Sequence, residues 1–495
     1  MAKMHRIARQ ITAITALPLA ALALISAANG GSTPDHPEMG KQGETAMGEA
    51  IVQAVPFSKG VNVIGQNTIA KRGDNLIMAW SGACAYVAHM PLNFHGPAKP
   101  KTLGPTSGVA VIDASNPAKP VVSTYLQGKG ALDAGETLHA VSTKARSVLA
   151  ASTYGGVAGV NGPKEGWLNV YDAKDCQHPK LMAEVKWPDP VHTITVAPDG
   201  KRIYGTIISP FTGNGGIAVM DISDMAKPRF IGKFPVTRPP VTGDVSSSYE
   251  FAPHELSISP DERRLYVGVI ASKGGDLNPG VKIMPPNKDG LGPHAGGIYI
   301  LDNSDLVTGK ADPKMRLIGT SLHGGWHSVV QANIGGVPHL VGAGELGACP
   351  GAWPKVTNLA DEKNPKIVGE FRLAMNRAEN CPEPTKMEQA SGGVIGRDEA
   401  PASHFNDVDS ATNTRLGLFS FMAAGLRIVD LRTPANPVEI AYFKPGDACM
   451  SHVRYVPQTG HIWFACVESG FHIIALKPAL RKALNLPLIP RGRKG

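Results

Sequence analysis

From about residue 70 to residue 476 the chain alternates short apolar runs with turn-forming clusters of Gly, Pro, Asn and Asp. The stretch Ser403 to Gly446 shows the pattern most clearly. It contains HFNDVDS, RLGLFSF, GLRIVDL and VEIAYF, separated by Ala-Thr-Asn-Thr, Met-Ala-Ala and Thr-Pro-Ala-Asn-Pro. Runs of this length, rich in β-branched and aromatic residues and bounded by breakers, predict four strands. One four-stranded unit cannot bury both its faces, so it must pack against copies of itself.

The copies are present. DNLIMAWSG to VVSTYL forms a first unit, LHAVSTKA to KLMAEVKW a second, and VHTITVAPDG to RFIGKFPV a third. PHELSISPDE to KMRLIGTS is the fourth, WHSVVQANIGG to KIVGEFRL the fifth, and the opening stretch the sixth. The seventh, SHVRYVPQTG to FHIIALKP, runs out after three strands. A four-stranded repeat of roughly 45 to 50 residues is the signature of a β-propeller. Residues 51–70 carry strand signal without a unit of their own. They are expected to supply the missing outer strand of the seventh blade and close the ring, which removes exposed sheet edges. The fold class is therefore all-β: a seven-bladed β-propeller closed by an N-terminal strand.

The third strands repeat as VAVID, LNVYD, IAVMD, IYILD and LRIVD, ending in Asp113, Asp172, Asp221, Asp302 and Asp430. This motif resembles the LVIVD-repeat family of β-propellers, and the resemblance spans nearly all of the chain after its leader. It implies the fold and no single activity.

Composition adds compartment. The chain has 495 residues, 42% hydrophobic and only 18% charged, ample for a large core. Lys3, Arg6 and Arg9 precede the apolar stretch Ile11 to Ile25 and the small residues Ser26-Ala27-Ala28. That reads as a signal peptide over 1–28, because the apolar run is shorter than the roughly 20 residues a membrane span needs. Residues 29–50 read as a disordered leader, 51–480 as the propeller, and 481–495 as a solvated basic tail. The expected location is periplasmic or secreted, with no membrane span after signal cleavage. The net charge of +8 is mild and scattered, which argues against a nucleic-acid partner. Six cysteines in an exported chain allow disulfides. Cys349 with Cys381 is the first expected pair, followed by Cys449 with Cys466 and Cys84 with Cys176; Cys449 as a thiolate ligand is the alternative.

The long insertions, 91–107, 126–137, 237–252, 271–296, 345–354 and 373–402, fall in loops that a propeller places on one face. Rigid scaffolds carry function on such loops. At the start of each first strand on that face stands a histidine: His139, His192, His254, His327, His404 and His452, one per blade from the second to the seventh. The first blade has Asp74-Asn75 there. A histidine can recur as part of a repeat's own hydrogen bonding, but here the preceding residue varies and is never Gly. Converging imidazoles without thiolates suit a metal, with copper or iron favoured for redox work. The arrangement is similar in architecture to propellers with inward His rings: nitrous-oxide reductase, thiocyanate dehydrogenase, carotenoid oxygenases and methanethiol oxidase of the selenium-binding protein family.

Glu136 and Glu250 lie in loops just before His139 and His254 and are the expected catalytic carboxylates, each as a general base, a ligand or an orienter of the ligands. Glu255 and Asp407 are further acids near the ring; His89, His95, His294 and His323 lie near the insertions. The expected function is an exported copper (or iron) oxidoreductase acting on a small-molecule substrate, with a periplasmic electron acceptor as partner. A non-catalytic binding or scaffold propeller of the cell envelope and a metal-assisted hydrolase are the alternatives.

Overall fold

The computed structural model describes residues 57–90, 104–156, 165–208, 215–235, 253–269, 297–322, 326–344, 353–373, 403–422 and 424–486. These form seven antiparallel sheets. Blades 1 to 5 are four-stranded meanders that begin at Asn75–Ser81, Leu138–Ser142, Ile194–Val196, Pro253–Ile258 and Ser328–Ile334. Blade 6 begins at Asn406–Val408 and blade 7 at Arg454–Val456.

Two N-terminal strands complete the ring. β1 (Phe57–Lys59) adds a fifth strand outside Val438–Lys444 of blade 6. β2 (Val61–Asn67) is the outer strand of blade 7, paired with Gly470–Leu476 from Val61 opposite Leu476 to Asn67 opposite Phe471. Closure by β2 follows the expectation; the strand added to blade 6 was not foreseen.

The repeated aspartate has a local cause. Asp113, Asp172, Asp221, Asp302 and Asp430 each accept a hydrogen bond from the backbone N–H two residues on. In blade 5 Asn358 does the same for Ala360. Asn116, Asp175, Asp224 and Asp361 then repeat the device within the same turns. Side chains that close such turns fix the exit from the third strand. The turn docks on the preceding blade. A Cβ on Gly369, in the outer strand of blade 5, would meet the Pro434 carbonyl of blade 6 at 1.8 Å, so only glycine fits there.

Apolar layers lie between the blades. Between blades 6 and 7, Leu418, Ile428, Phe443, Phe464 and Ile474 are buried together. Residues 481–486, expected to open a solvated tail, pack instead. Arg481 is buried and donates to the Gly460 carbonyl, while Leu484 and Leu486 join that same layer. Within the helix Pro478–Ala483 Arg481 is the buried residue, and Leu480 packs partly against the layer.

Candidate metal centre

The first strands do not begin cleanly. In blade 3 the His192 N–H donates to the Thr206 carbonyl, and the Thr206 N–H donates back to Thr193. Two residues thus face one, a β-bulge that re-aims the first of them. Blade 6 repeats this, with His404 N–H to Ser420 O and Ser420 N–H to Phe405 O. In blade 5 the His327 N–H donates to Ala343, which pairs with Ser328. In blade 2 the Ser152 N–H donates to the Thr137 carbonyl. Thr137 therefore matches Thr193 and Phe405, and Glu136 occupies the register of His192 and His404.

The five side chains meet. His192 Nε2, His254 Nε2 and His327 Nε2 lie 3.6, 3.5 and 3.6 Å from Glu136 Oε2, and His404 Nε2 lies 3.5 Å from Oε1. All five residues are buried. The rings of His254 and His327 have centroids 3.7 Å apart, and those of His327 and His404 3.9 Å. His192 Nε2 and His254 Nε2 are 2.8 Å apart.

Hydrogen bonds aim these rings. His192 Nδ1 donates to the Gly156 carbonyl and His404 Nδ1 to the Met450 carbonyl, at 2.7 Å each, so both Nε2 lone pairs face the centre. Metal-bound histidines are oriented this way. Hydroxyls fix the backbone beneath. Thr193 Oγ1 and Thr206 Oγ1 both donate to the His254 carbonyl at 2.6 Å, and Ser328 Oγ donates to the His404 carbonyl at 3.0 Å. Blade 3 thereby holds the ligand backbone of blade 4, and blade 5 that of blade 6.

Burial drives the rings toward the neutral form. It lowers the pKa of His192 although Glu136 and the Gly156 carbonyl favour the charged ring. His254 falls well below the usual range through burial and then repulsion from His327 and His192. His327 is pushed down to about 3, by burial first and by His404 next. Burial alone would raise the Glu136 carboxyl. Hydrogen bonds with His327 and His404 and the charges of His254 and His327 outweigh it and hold the carboxyl well below its usual range. Neutral imidazoles around a carboxylate are the protonation states a metal ion requires. Glu136 forms two candidate three-ligand groups, one with His327 and His404 and one with His192 and His254.

The other two expected ligands stand apart. His139 lies three residues beyond Glu136, about 10 Å further along its strand, and its Nδ1 accepts from the Val196 N–H. His452 Nε2 bonds Glu255 Oε1 at 2.8 Å. Phe405 separates the two levels, edge-on to His404 at 4.6 Å and tilted against His452 at 4.4 Å. Asp407 belongs to the lower level; burial raises its carboxyl to about 7, against the nearby His452. His89 is buried in blade 1, outside the group. Glu250, His95, His294 and His323 lie outside the described residues. So do the leader, most of the long insertions, Cys349 and Cys381. Disulfides join Cys84 to Cys176 and Cys449 to Cys466, as expected, which leaves Cys449 no thiolate to offer a metal. Two disulfides fit an oxidising, non-cytoplasmic compartment. No helix among the described residues is long and apolar enough to cross a membrane.

Solved structures share the architecture. The chain is similar to the β-propeller domain of Cps50 (Swd1) from Myceliophteria thermophila, at 11% identity over 84% of this chain and 99% of that one, with a TM-score of 0.51. It is also similar to the Dos1 propeller (13% identity, 84% and 96% covered, TM-score 0.45) and to Kuenenia stuttgartiensis hydrazine synthase (12%, 81% and 95%, TM-score 0.47). At such identities the likeness concerns the fold alone. No family model and no curated protein matches the chain. The protein is thus a seven-bladed β-propeller with a buried His/Glu group that could hold a metal ion.

Proposed function

We propose that the chain is an exported, metal-dependent oxidoreductase of the LVIVD-repeat type, acting on a small molecule at the His192–His254–His327–His404–Glu136 group. The observation that carries this reading is the convergence of four imidazoles and one carboxylate from five consecutive blades, all buried and aimed inward. A repeat that needed histidine only for its own fold would not put a carboxylate in their midst. Imidazole donors without thiolate suit copper, with iron as the alternative. A bound copper or iron ion would supply one-electron chemistry and open coordination positions for substrate.

The chain's own residues do the rest. Glu136 would offset the charge of a cation and serve as a ligand, one of the roles its position before His139 allows. The Gly156 and Met450 carbonyls keep the His192 and His404 lone pairs on the centre. Phe405 packs between this group and His452. Signal cleavage, periplasmic location, a role for Glu250 and a periplasmic electron acceptor belong to the same proposal.

The test is elemental analysis with visible absorption of protein matured in an exporting host, wild type beside the double variant His327→Ala/His404→Ala. Bound copper or iron that the folded variant loses supports the reading. A bound but redox-silent metal moves the function to hydrolysis. A wild type that takes up no metal moves it to a binding propeller.

A further inference from the structure

We infer that the centre holds two metal ions, bridged by Glu136, with His192 and His254 on one and His327 and His404 on the other. This deepens the proposed function and rests on it. The donor atoms form two groups of three, each lying within 4.8 Å of one another. The groups share Glu136 and no histidine. Three protein ligands per ion, with positions left open, is the arrangement of catalytic rather than structural metal sites.

The contacts within the first group match the donors of one ion. His192 is bonded through Nδ1 to the Gly156 carbonyl, so its Nε2 carries a lone pair. His254 Nε2 lies 2.8 Å from that lone pair, while its buried Nδ1 has no hydrogen-bond partner. Without a cation the only favourable form is an N–H from His254 to His192. Two nitrogens each about 2.0 to 2.1 Å from one ion, at right angles, would stand about 2.9 Å apart. The observed spacing is already that of neighbouring ligands. Glu136 Oε2 faces this pair at 3.6 and 3.5 Å.

The second group has its own ring support. His404 is fixed through Nδ1 on the Met450 carbonyl, and Phe405 packs edge-on to both His404 and His327 at 4.6 and 4.5 Å. His404 faces the other carboxylate oxygen, Oε1, at 3.5 Å, whereas His327 lies 3.6 Å from Oε2. A carboxylate at the centre of four imidazoles, with Oε2 toward His192, His254 and His327 and Oε1 toward His404, has both oxygens engaged, as a bridge requires. As a fifth ligand to a single ion it would need one oxygen only. The register explains how the bridge arises: Glu136 comes from blade 2, at one end of the arc of four histidine-bearing blades, and reaches across it.

The experiment is metal counting on the full chain loaded with Cu(II), and separately with Fe(II) without oxygen, for wild type, His192→Ala and Glu136→Gln. Circular dichroism checks that each variant is folded. Two ions per wild-type chain, one per His192→Ala chain and at most one per Glu136→Gln chain are expected. For copper, a spin count near zero in the oxidised wild type and near one in His192→Ala marks a coupled pair reduced to a single ion. Saturation at one ion per wild-type chain overturns the bridge and leaves the proposed function standing. No bound metal in the wild type overturns both.

Discussion

Glu136 and His192 hold the same position in adjacent blades, one residue ahead of the bulge partners Thr137 and Thr193, whose carbonyls accept from Ser152 and Thr206. One backbone device therefore presents a carboxylate in one blade and an imidazole in the next. The centre depends on that device as much as on its ligands, and the first prediction addresses it.

Replacing Thr193 and Thr206 together by Val removes both hydroxyl donors to the His254 carbonyl and leaves every ligand in place. An unsatisfied buried carbonyl costs about 1 to 3 kcal/mol. Loss of supports around a metal ligand weakens metal binding about 10- to 100-fold. Competition with a chelator should show a drop in that range, with the metal count at saturation unchanged.

Gly342→Ala tests how rigidly His327 is held. A Cβ at Gly342 would sit 1.5 Å from the Trp326 ring, and Trp326 precedes His327 in the chain. Overpacking of a core costs about 1 to 3 kcal/mol and sometimes more. The variant should melt at a lower temperature and bind metal more weakly, although the glycine touches no ligand. Wild-type affinity in a folded Gly342→Ala protein would show that Trp326 does not position the histidine.

Acid should destabilise the fold through His472. This ring is buried against Phe464 with centroids 5.3 Å apart, and burial pushes its pKa down to about 4. Between about 6.5, its ordinary value, and 4, the unfolded chain binds a proton that the folded chain does not. Stability therefore falls as pH falls through that window and levels off below it. The contribution is roughly 2 kcal/mol between pH 7 and pH 5. His472→Phe should lose that part of the slope in denaturant titrations. A remaining slope is expected from His139, held at about 3 by burial and then by His452.

The two disulfides should differ in weight. Cys84–Cys176 links blade 1 to blade 2 across 92 residues, and Cys449–Cys466 spans 17 within blade 7 and its approach. A chain-entropy model gives about 3 kcal/mol for the short loop and between 4 and 5 for the long one, roughly. Paired Cys→Ala variants under denaturant would rank them. Equal losses would point to native-state packing rather than loop length.

The repeat was readable because its cause is local. Asp172, Asp221 and Asp430 close their turns with hydrogen bonds two residues away, so each copy carries the same letters. The missing strand of blade 7 was readable by subtraction. The centre was only partly readable. His192, His254, His327 and His404 stand where the first strands begin, but a bulge decides which residue faces inward, and apolar alternation does not reveal a bulge. His139 looked equivalent to them because it also opens an apolar run. Counting back from the turn after the first strand would have moved the choice to Glu136. The His452–Glu255 pair was not legible, since it joins blades that are far apart in sequence.

β2 has a consequence for how the molecule is made. Its Gln66 Nε2 donates to the Ser469 carbonyl, 403 residues away, and its backbone partners are still later in the chain. A ribosome delivers β2 first among these strands and its partner last. For nearly the whole of synthesis β2 is an unpaired edge that can join any other strand, its own chain's or a neighbour's. Closure, and with it the fixed spacing of the five ligands, is then a late and slow event set by topology. A nascent chain cut short between His404 and Gly470 would have every ligand and no ring to hold them in register.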